Sequence, residues 1–387
     1  MSQNLYTQIL AYVLEDVRRG ALKPGDRVSS EHELAERFSV SRITSRRALE
    51  LLSQHRVVER TRGRGTFVCE QLPNLEGVSL ALGLSVSDDA VGGKARSFGL
   101  IIPDFSEVYG LELVYAIEEA CSHRGHHLVL KRSQGERERE EAQLTALRAH
   151  GVDGLIVFPV HGEHYNPVLL RAVLEGFPVV LVDRILRGIP VPGVATDNRG
   201  AALELANHLL ALGHREIAFL SPPVEHTSSI EDRLEGLREA LRQRGLNLSP
   251  DRILSSFRST LPKRFSEVNI QSDQLELAHF LDAHVQVTGF FVSEYNLALE
   301  LRRLLETRGQ RIPQDASIVC FDSPRDAFER PFFTHIRQNE SALGRCAVEL
   351  LLSKLRGESP ALHTPIGFDL LEGRSSGPVK VNLVSSD

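Results

Sequence analysis

Apolar residues recur at helical spacing over residues 5–20, where Leu5, Ile9, Tyr12, Val13 and Val17 share one face. Gly20, Pro24 and Gly25 then break the pattern. A second helix is predicted in "SSEHELAERF", with Ser29 or Ser30 as its cap and Glu33 three residues after Ser30. Leu34, Ala35 and Phe38 would form its inner face. After the tight turn "SVS", Ser41 caps a third helix, "RITSRRALELLSQH". Ala48, Leu49, Leu51 and Leu52 point mostly inward there, while Ile43, Arg47 and Glu50 lie off the core face. Val57–Arg60 and Thr66–Val68 read as two strands around the turn Gly63-Arg64-Gly65. Residues 69–95 are punctuated by Pro73, Gly77, Asp88-Asp89 and Gly92-Gly93 and read as a linker; the alternation from Val78 to Val86 allows a short strand.

From residue 97 the pattern changes. Apolar runs at 98–104, 127–133, 154–160, 178–184, 216–222, 288–294 and 317–323 read as strands. Helical patterns separate them, at roughly 110–124, 136–150, 166–175, 198–213, 230–245, 274–284, 295–309 and 338–356. Strand and helix alternating at this spacing predict parallel sheets with helices on both faces. Ligands of such sheets lie at the carboxyl ends of the strands, which makes Asp104, Asp183-Arg184, Glu294 and Asp322 candidates. A bland reading of Asp183-Arg184 as a solvated rim pair stays open.

Length and charge refine this organisation. A chain of 387 residues is expected to hold two or three domains. Its net charge of −6 is unevenly spread. Residues 1–68 hold 12 Lys and Arg against 8 Asp and Glu; the remainder holds 33 against 43. A basic head on an acidic body is expected when the head alone meets an anionic polymer. No run of 18 apolar residues predicts a membrane span, and the N-terminus lacks the pattern of a signal peptide. The four cysteines (Cys69, Cys121, Cys320, Cys346) are widely spaced, with no CxxC and no metal spacing. Free thiols in a reducing cytosol are expected, with no metal and no cofactor.

In the head, two short helices joined by a tight turn form a helix-turn-helix pattern, and a basic glycine-tipped ribbon follows it: a winged helix. The start of a recognition helix enters the major groove, where Arg42, Arg46 and Arg47 could bond guanine edges and Ser41 or Thr44 could reach bases or phosphates. The alternative is a solvated basic helix face. The ribbon "ERTRGRGTFV" raises a second question, since glycine pairs also cradle phosphates in enzymes. Here they lie between two strands rather than before a helix, so Arg60, Arg62 and Arg64 suit phosphate or minor-groove contact. The stretch "SSEHELAERFSVSRITSRRALELLSQHRVVERTRGRGTFV" resembles the DNA-binding domain of the GntR family. The resemblance implies operator contact by Ser41, Arg42, Thr44, Arg46, Arg64 and Gly65. It departs from the usual pattern at Ser29, where proline is common, and at His32, where arginine is common.

The body resembles the effector domain of LacI/GalR repressors, with "TDNRGAA" and "LGHREIAFL" as its most specific pieces. That resemblance implies a two-lobed fold like that of periplasmic sugar-binding proteins, with a ligand cleft. It implies effector contacts by Tyr109, Ser229, Arg233, Asp322 and Gln338, with Arg233 as main anchor. Asp104, His161, Asp183 and Glu294 follow as secondary candidates. Ser293-Glu294 stand where the family often has Asn-Asp, and the stretch 258–274 is longer than the usual connection.

The expected architecture is therefore an α+β winged helix-turn-helix head (1–70), a linker (71–95) and a two-lobed α/β effector and dimerisation domain with parallel sheets (96–387). The expected function is a cytoplasmic, homodimeric transcriptional repressor whose grip on double-stranded operator DNA is controlled by a small carbohydrate. A nucleoside or sugar-phosphate effector, or a corepressor, is the alternative. A dinucleotide or hydrolytic enzyme is disfavoured, because no GxGxxG, GK[ST], GxSxG or HExxH motif is present. A secreted sugar-binding protein would need an export signal and no basic head.

Overall fold

The computed structural model describes residues 5–18, 21–38, 40–61, 65–70, 72–73, 75, 78, 95–162, 166–324 and 330–379. The chain divides into two compact units, residues 1–94 and 95–387.

The first unit packs three helices, α1 (Leu5–Arg18), α2 (Glu31–Arg37) and α3 (Arg42–Gln54), against a small antiparallel sheet. Its strands β1 (Arg27–Val28), β2 (Val58–Thr61) and β3 (Gly65–Val68) run in the order β1-β3-β2. The helical stripe becomes the core: Ile9, Leu10, Val13, Leu14 and Val17 meet Leu34, Ala48, Leu49, Leu52, Val58 and Val68. Ser30 forms a full capping box with Glu33, and the Ser41 hydroxyl accepts from the Thr44 amide, so both short helices start where expected. Leu51, expected mostly inside, is only half-buried, and Ser45 takes an inward place, donating to the Glu31 carbonyl at 2.7 Å. Of the strand expected over 78–86 only Val78, buried in this core, is among the described residues, and Arg62, Gly63 and Arg64 at the ribbon tip lie outside them.

The second unit has two lobes, each built on a six-stranded sheet. The first lobe holds β4 (Ser97–Ile102), β5 (His127–Arg132), β6 (Gly154–Val157), β7 (Val179–Val182) and β8 (Gly193–Thr196), with α4 (Leu111–Ser122), α5 (Arg137–His150) and α6 (Pro167–Leu174). The second holds β9 (Ile217–Leu220), β10 (Ile253–Leu254), β11 (Gly289–Val292), β12 (Ser317–Phe321) and β13 (Thr334–Gln338), with α7 (Asn198–Ala211), α8 (Ser228–Gln243), α9 (Glu267–Ala283) and α10 (Tyr295–Thr307). The chain then returns. Helix α11 (Glu340–Leu355) packs on the first lobe, β14 (His363–Ile366) joins the edge of its sheet, and β15 (Phe368–Leu371) goes back to the second. The first sheet is wholly parallel in the order β14-β8-β7-β6-β4-β5. The second runs β10-β9-β11-β12-β13-β15, with only β15 antiparallel.

The central strands are buried on both faces, as in "GLIV" of β6 and "GFFV" of β11, because helices cover both sides. Two glycines set the closest helix pairs. A Cβ on Gly236 of α8 would lie 2.4 Å from the Arg199 carbonyl of α7, and one on Gly344 would lie 2.7 Å from Ala116 of α4. Within the body the predicted strands and helices are all present, but five short strands (β8, β10, β13, β14, β15) were not expected, as β1 was not in the head. Helix α9 begins at Glu267, well before the predicted start at 274, so 258–274 is not one long connection. Its first turns carry few inward residues, which leaves little periodicity to read.

Candidate functional site

In the head, the first turns of α3 form an exposed basic surface. Ser41, Arg42, Arg46 and Arg47 are exposed, and Thr44 is half-buried with its hydroxyl 2.8 Å from that of Ser41. Among the described residues the guanidinium groups of Arg42 and Arg47 have no ion-pair partner, whereas Arg46 pairs with Glu50 at 3.2 Å. Ile43 stands among these cations and is 81% exposed. Gly65 opens β3 at φ +123°, a conformation that favours glycine. Arg60 is exposed yet paired. It bonds Glu31 at 3.1 Å and approaches Glu50 at 3.9 Å, tying the ribbon to α2 and α3 at the surface.

In the body, the ends of the strands converge on a cleft of about 160 Å³. Eight of the nine residues proposed from sequence line it: Tyr109, His161, Asp183, Ser229, Arg233, Glu294, Asp322 and Gln338. Asp104 does not line it. Its carboxylate accepts from the Phe105 amide and pairs with Arg132 at 3.0 Å.

The lining is preorganised. Tyr109 donates a short hydrogen bond to Asp183, and its ring meets Phe158 edge-on at 6.4 Å. Burial and the Asp183 charge push the Tyr109 phenol well above its ordinary range, so it stays a donor. Arg233 lies over the Phe321 ring at 3.7 Å and donates to Asn198 Oδ1 at 2.8 Å and to the Ser293 carbonyl at 2.6 Å. That fixes its plane and leaves Nη2 for another acceptor. The Gln338 amide donates to Asp322 at 2.9 Å and accepts from Thr196 at 2.7 Å, which ties the crossing strands together at the bottom of the cleft.

Arg184 corrects the rim reading of its pair. It reaches inward over Phe158 at 4.9 Å and donates to the Pro159 carbonyl at 2.9 Å, while Asp183 stands 3.8 Å from its Nε. Sequence periodicity could not tell an inward from an outward side chain two residues past a strand. Burial raises the Asp322 carboxyl to about 7 and raises that of Glu294, and it lowers His161 to about 3. His161 is therefore a neutral ring in the lining rather than an exposed loop histidine. Buried side-chain atoms of Ser293, Glu294 and Thr260 have no hydrogen-bond partner, an arrangement suited to a ligand rich in hydroxyls. Among the described residues no cluster of His, Cys, Asp and Glu could hold a metal, and no helix is long and apolar enough to cross a membrane.

Comparisons with known proteins agree with both units. Residues 5–68 match the bacterial regulatory proteins of the gntR family. Residues 95–269 match the periplasmic binding proteins and sugar binding domain of the LacI family, and residues 206–376 match the periplasmic binding protein-like domain. The chain is 26% identical over 363 residues to the arabinose metabolism transcriptional repressor of Geobacillus stearothermophilus, covering 92% of each chain. It is 32% identical over 294 residues to the HTH-type transcriptional regulator PtxS of Pseudomonas aeruginosa, covering 74% of this chain and 80% of the relative. Among solved structures, a LacI family transcriptional regulator from Enterococcus faecium with bound ribose matches 74% of this chain and 100% of its own, at 26% identity and a TM-score of 0.60. These relatives are regulators, not enzymes. The chain belongs to the bacterial transcriptional regulators that join a GntR-family DNA-binding head to a periplasmic-binding-protein-like effector domain of the LacI family.

Proposed function

We propose that this regulator is a homodimeric repressor released from its operator by a single-ring sugar bound between the lobes of its body. The observation that carries this reading is the cleft lining. Fixed donors (Arg233, Gln338) and acceptors (Asp183, Asp322 and the Tyr109 oxygen, whose proton goes to Asp183) from both lobes converge there, with aromatic faces beside them. Hydroxyl groups need both kinds of partner at fixed positions, and burial makes each of them selective. The cleft, about 160 Å³, has room for one small ligand rather than an oligosaccharide.

Three carboxylates line the space (Asp183, Glu294, Asp322) against two guanidinium groups, and both arginines already donate to protein acceptors. This commitment of both guanidinium groups leaves few free donors for a phosphate dianion and favours an uncharged sugar.

DNA contact is assigned to Ser41, Arg42, Thr44, Arg46 and Arg47 at the start of α3, and to Arg62, Arg64 and Gly65 of the ribbon. Pairing of two copies is supported by exposed apolar side chains on the body. Tyr115 projects from α4, Leu130 lies on the edge strand β5, and Val268 and Leu275 lie two turns apart on α9. A symmetric dimer reads symmetric half-sites. A sugar that prefers one lobe arrangement then changes DNA affinity through typically 1–3 kcal/mol of coupling.

The test is a thermal-shift panel of L-arabinose, D-ribose, D-xylulose, hexoses and their phosphates, followed by operator binding with each hit. A neutral monosaccharide should raise the melting temperature and weaken operator binding. Stabilisation by a phosphate alone, or tighter operator binding with sugar, would overturn the reading.

A further inference from the structure

The stretch between β10 and α9, residues 255–266, is built differently from the other connections around the cleft. Both of its roots are fixed in the second lobe. Phe257 is fully buried in that lobe's core. The buried Asp273 carboxylate accepts from the Arg258 and Ser259 amides at 3.0 and 2.7 Å. At the far root, Ser266 caps α9 and the Asn269 amide donates to the Arg264 carbonyl at 2.7 Å. Between these roots, two consecutive turns close through Leu261 N to Arg258 O and Arg264 N to Leu261 O.

The apex of this segment rests on the other lobe. Thr260, Leu261 and Pro262 line the cleft. Pro262 packs over Gly135 of the first lobe, where a Cβ would stand 3.1 Å from the proline Cβ. Lys263 donates to Glu136 Oε1 at 3.0 Å, and this partner draws the Glu136 carboxyl below its ordinary value. The contact is half exposed, so the apex is held lightly while its roots are held firmly. On its inner side, Thr260 stands beside the buried Glu294 and eases that carboxyl downward. Yet neither Thr260 Oγ1 nor Glu294 Oε1 completes a well-formed hydrogen bond. Two buried groups, one able to donate and one to accept, are left to share a third.

We propose that residues 255–266 form a strap from the second lobe that clasps the first at Gly135 and Glu136, and that Thr260 on it reads one ligand hydroxyl together with Glu294. The identity of the ligand as a sugar rests on the function proposed above; the clasp does not. Lifting the apex opens a route to the cleft, and lowering it buries the ligand under Leu261 and Pro262. Thr260 is thereby a specificity-determining residue, and Lys263 a positioning residue that acts through the strap.

Two experiments on the full chain separate these claims. Gly135→Cys with Pro262→Cys places two Cβ atoms about 3.1 Å apart, slightly inside the disulfide range of about 3.5–4.5 Å, so the bridge must open that contact a little and Gly135, at φ +72°, must relax to carry a side chain. Oxidation should cross-link the ligand-free double variant while leaving either single variant unlinked. Failure of a folded double variant to cross-link overturns the clasp. In the second, dissociation of L-arabinose and D-ribose is followed in Lys263→Glu, in Glu136→Lys and in the exchanged pair. Each single variant should release the bound sugar roughly 3-fold to 10-fold faster, and the pair should restore most of the rate, the remainder reflecting Arg139, which also pairs with Glu136. Thr260→Val should weaken equilibrium binding by about 10-fold, because Glu294 then faces the ligand alone. Unchanged dissociation and affinity in all variants of a sugar-binding protein would overturn the strap. A wild type that binds neither sugar, beside a double-cysteine variant that does cross-link, would sink the sugar assignment and keep the clasp.

Discussion

Asp183 and Asp322 occupy equivalent places in the two lobes. Each is the first residue after a fully buried parallel strand, β7 and β12, and each has a left-handed backbone, at φ 70° and 62°. The Asp183 amide donates to Val194 and the Asp322 amide to Ile336, each on the neighbouring strand. Aspartate tolerates this conformation better than most residues, and the turn brings each carboxylate to the cleft lining. The two lobes thus present one acidic group each to the same ligand space.

Their surroundings differ, and this yields a pH prediction. Burial raises Asp322 to about 7, from a normal value near 3.9. A carboxyl whose folded value is raised contributes most stability below its unfolded value and loses it as pH climbs through the folded value. The ligand-free protein should therefore lose stability from Asp322 between about pH 4 and 7 and level off above. Asp322→Asn should flatten the upper part of that decline in melting temperature. Glu294 and Glu140, also raised by burial, should keep the rest. An identical pH profile in the variant would exclude Asp322 as the titrating group.

Arg233 is fixed by three partners on three elements: Asn198 of α7, the Ser293 carbonyl after β11 and the Phe321 ring of β12. Lysine keeps the charge but loses the planar fork and the stacking. Arg233→Lys should therefore reduce sugar affinity by at least about 10-fold, the worth of a charged hydrogen bond. Operator affinity without sugar should stay within about 2-fold. Calorimetry with the panel hit and operator titration check the two halves. Loss of both together would point to a folding defect rather than an effector anchor.

Much of this was legible in the sequence because periodicity reports burial. The α1 stripe, the Ser30–Glu33 capping pair and the buried strands all follow from local pattern. What local pattern misses is side-chain direction at strand ends. Arg184 and Asp104 each directly follow or closely succeed an apolar run, yet one turns into the cleft and the other pairs with Arg132 outside it. The strap was visible only as extra length, since its contact with Gly135 joins residues more than a hundred positions apart. Arg60 shows the same limit in the head, where a basic ribbon residue is paired with acids of two helices.

That pairing separates the arginines of the head into two groups. Arg42 and Arg47 are exposed cations without ion-pair partners among the described residues, while Arg60 is tied to Glu31 and Glu50. Arg47→Ala should weaken operator binding and lower the salt slope by about one phosphate contact. Arg60→Ala should instead lower the stability of the head only modestly, by about 1 kcal/mol or less, as loss of an exposed pair does. Operator titrations across a salt series, with calorimetry of the head transition, check both. A salt slope unchanged in Arg47→Ala would remove that residue from the phosphate-contacting set.

The last prediction concerns the strands that cross between lobes. Thr196 at the end of β8 and Gln338 at the end of β13 are buried and joined by a 2.7 Å hydrogen bond, which continues to Asp322 at 2.9 Å. Each is followed by a helix that belongs to the other lobe, capped by Asp197 and Asn339 respectively. A ligand that pulls on Asp322 therefore pulls on the crossing itself. Thr196→Val keeps the shape but leaves the Gln338 oxygen buried and unpaired, at a cost of about 1–3 kcal/mol. Stability should fall by that order, and sugar should release operator less completely even when it saturates the cleft. Operator binding measured at saturating sugar tests this, because a purely local defect would shift the sugar concentration required while leaving the final extent of release unchanged.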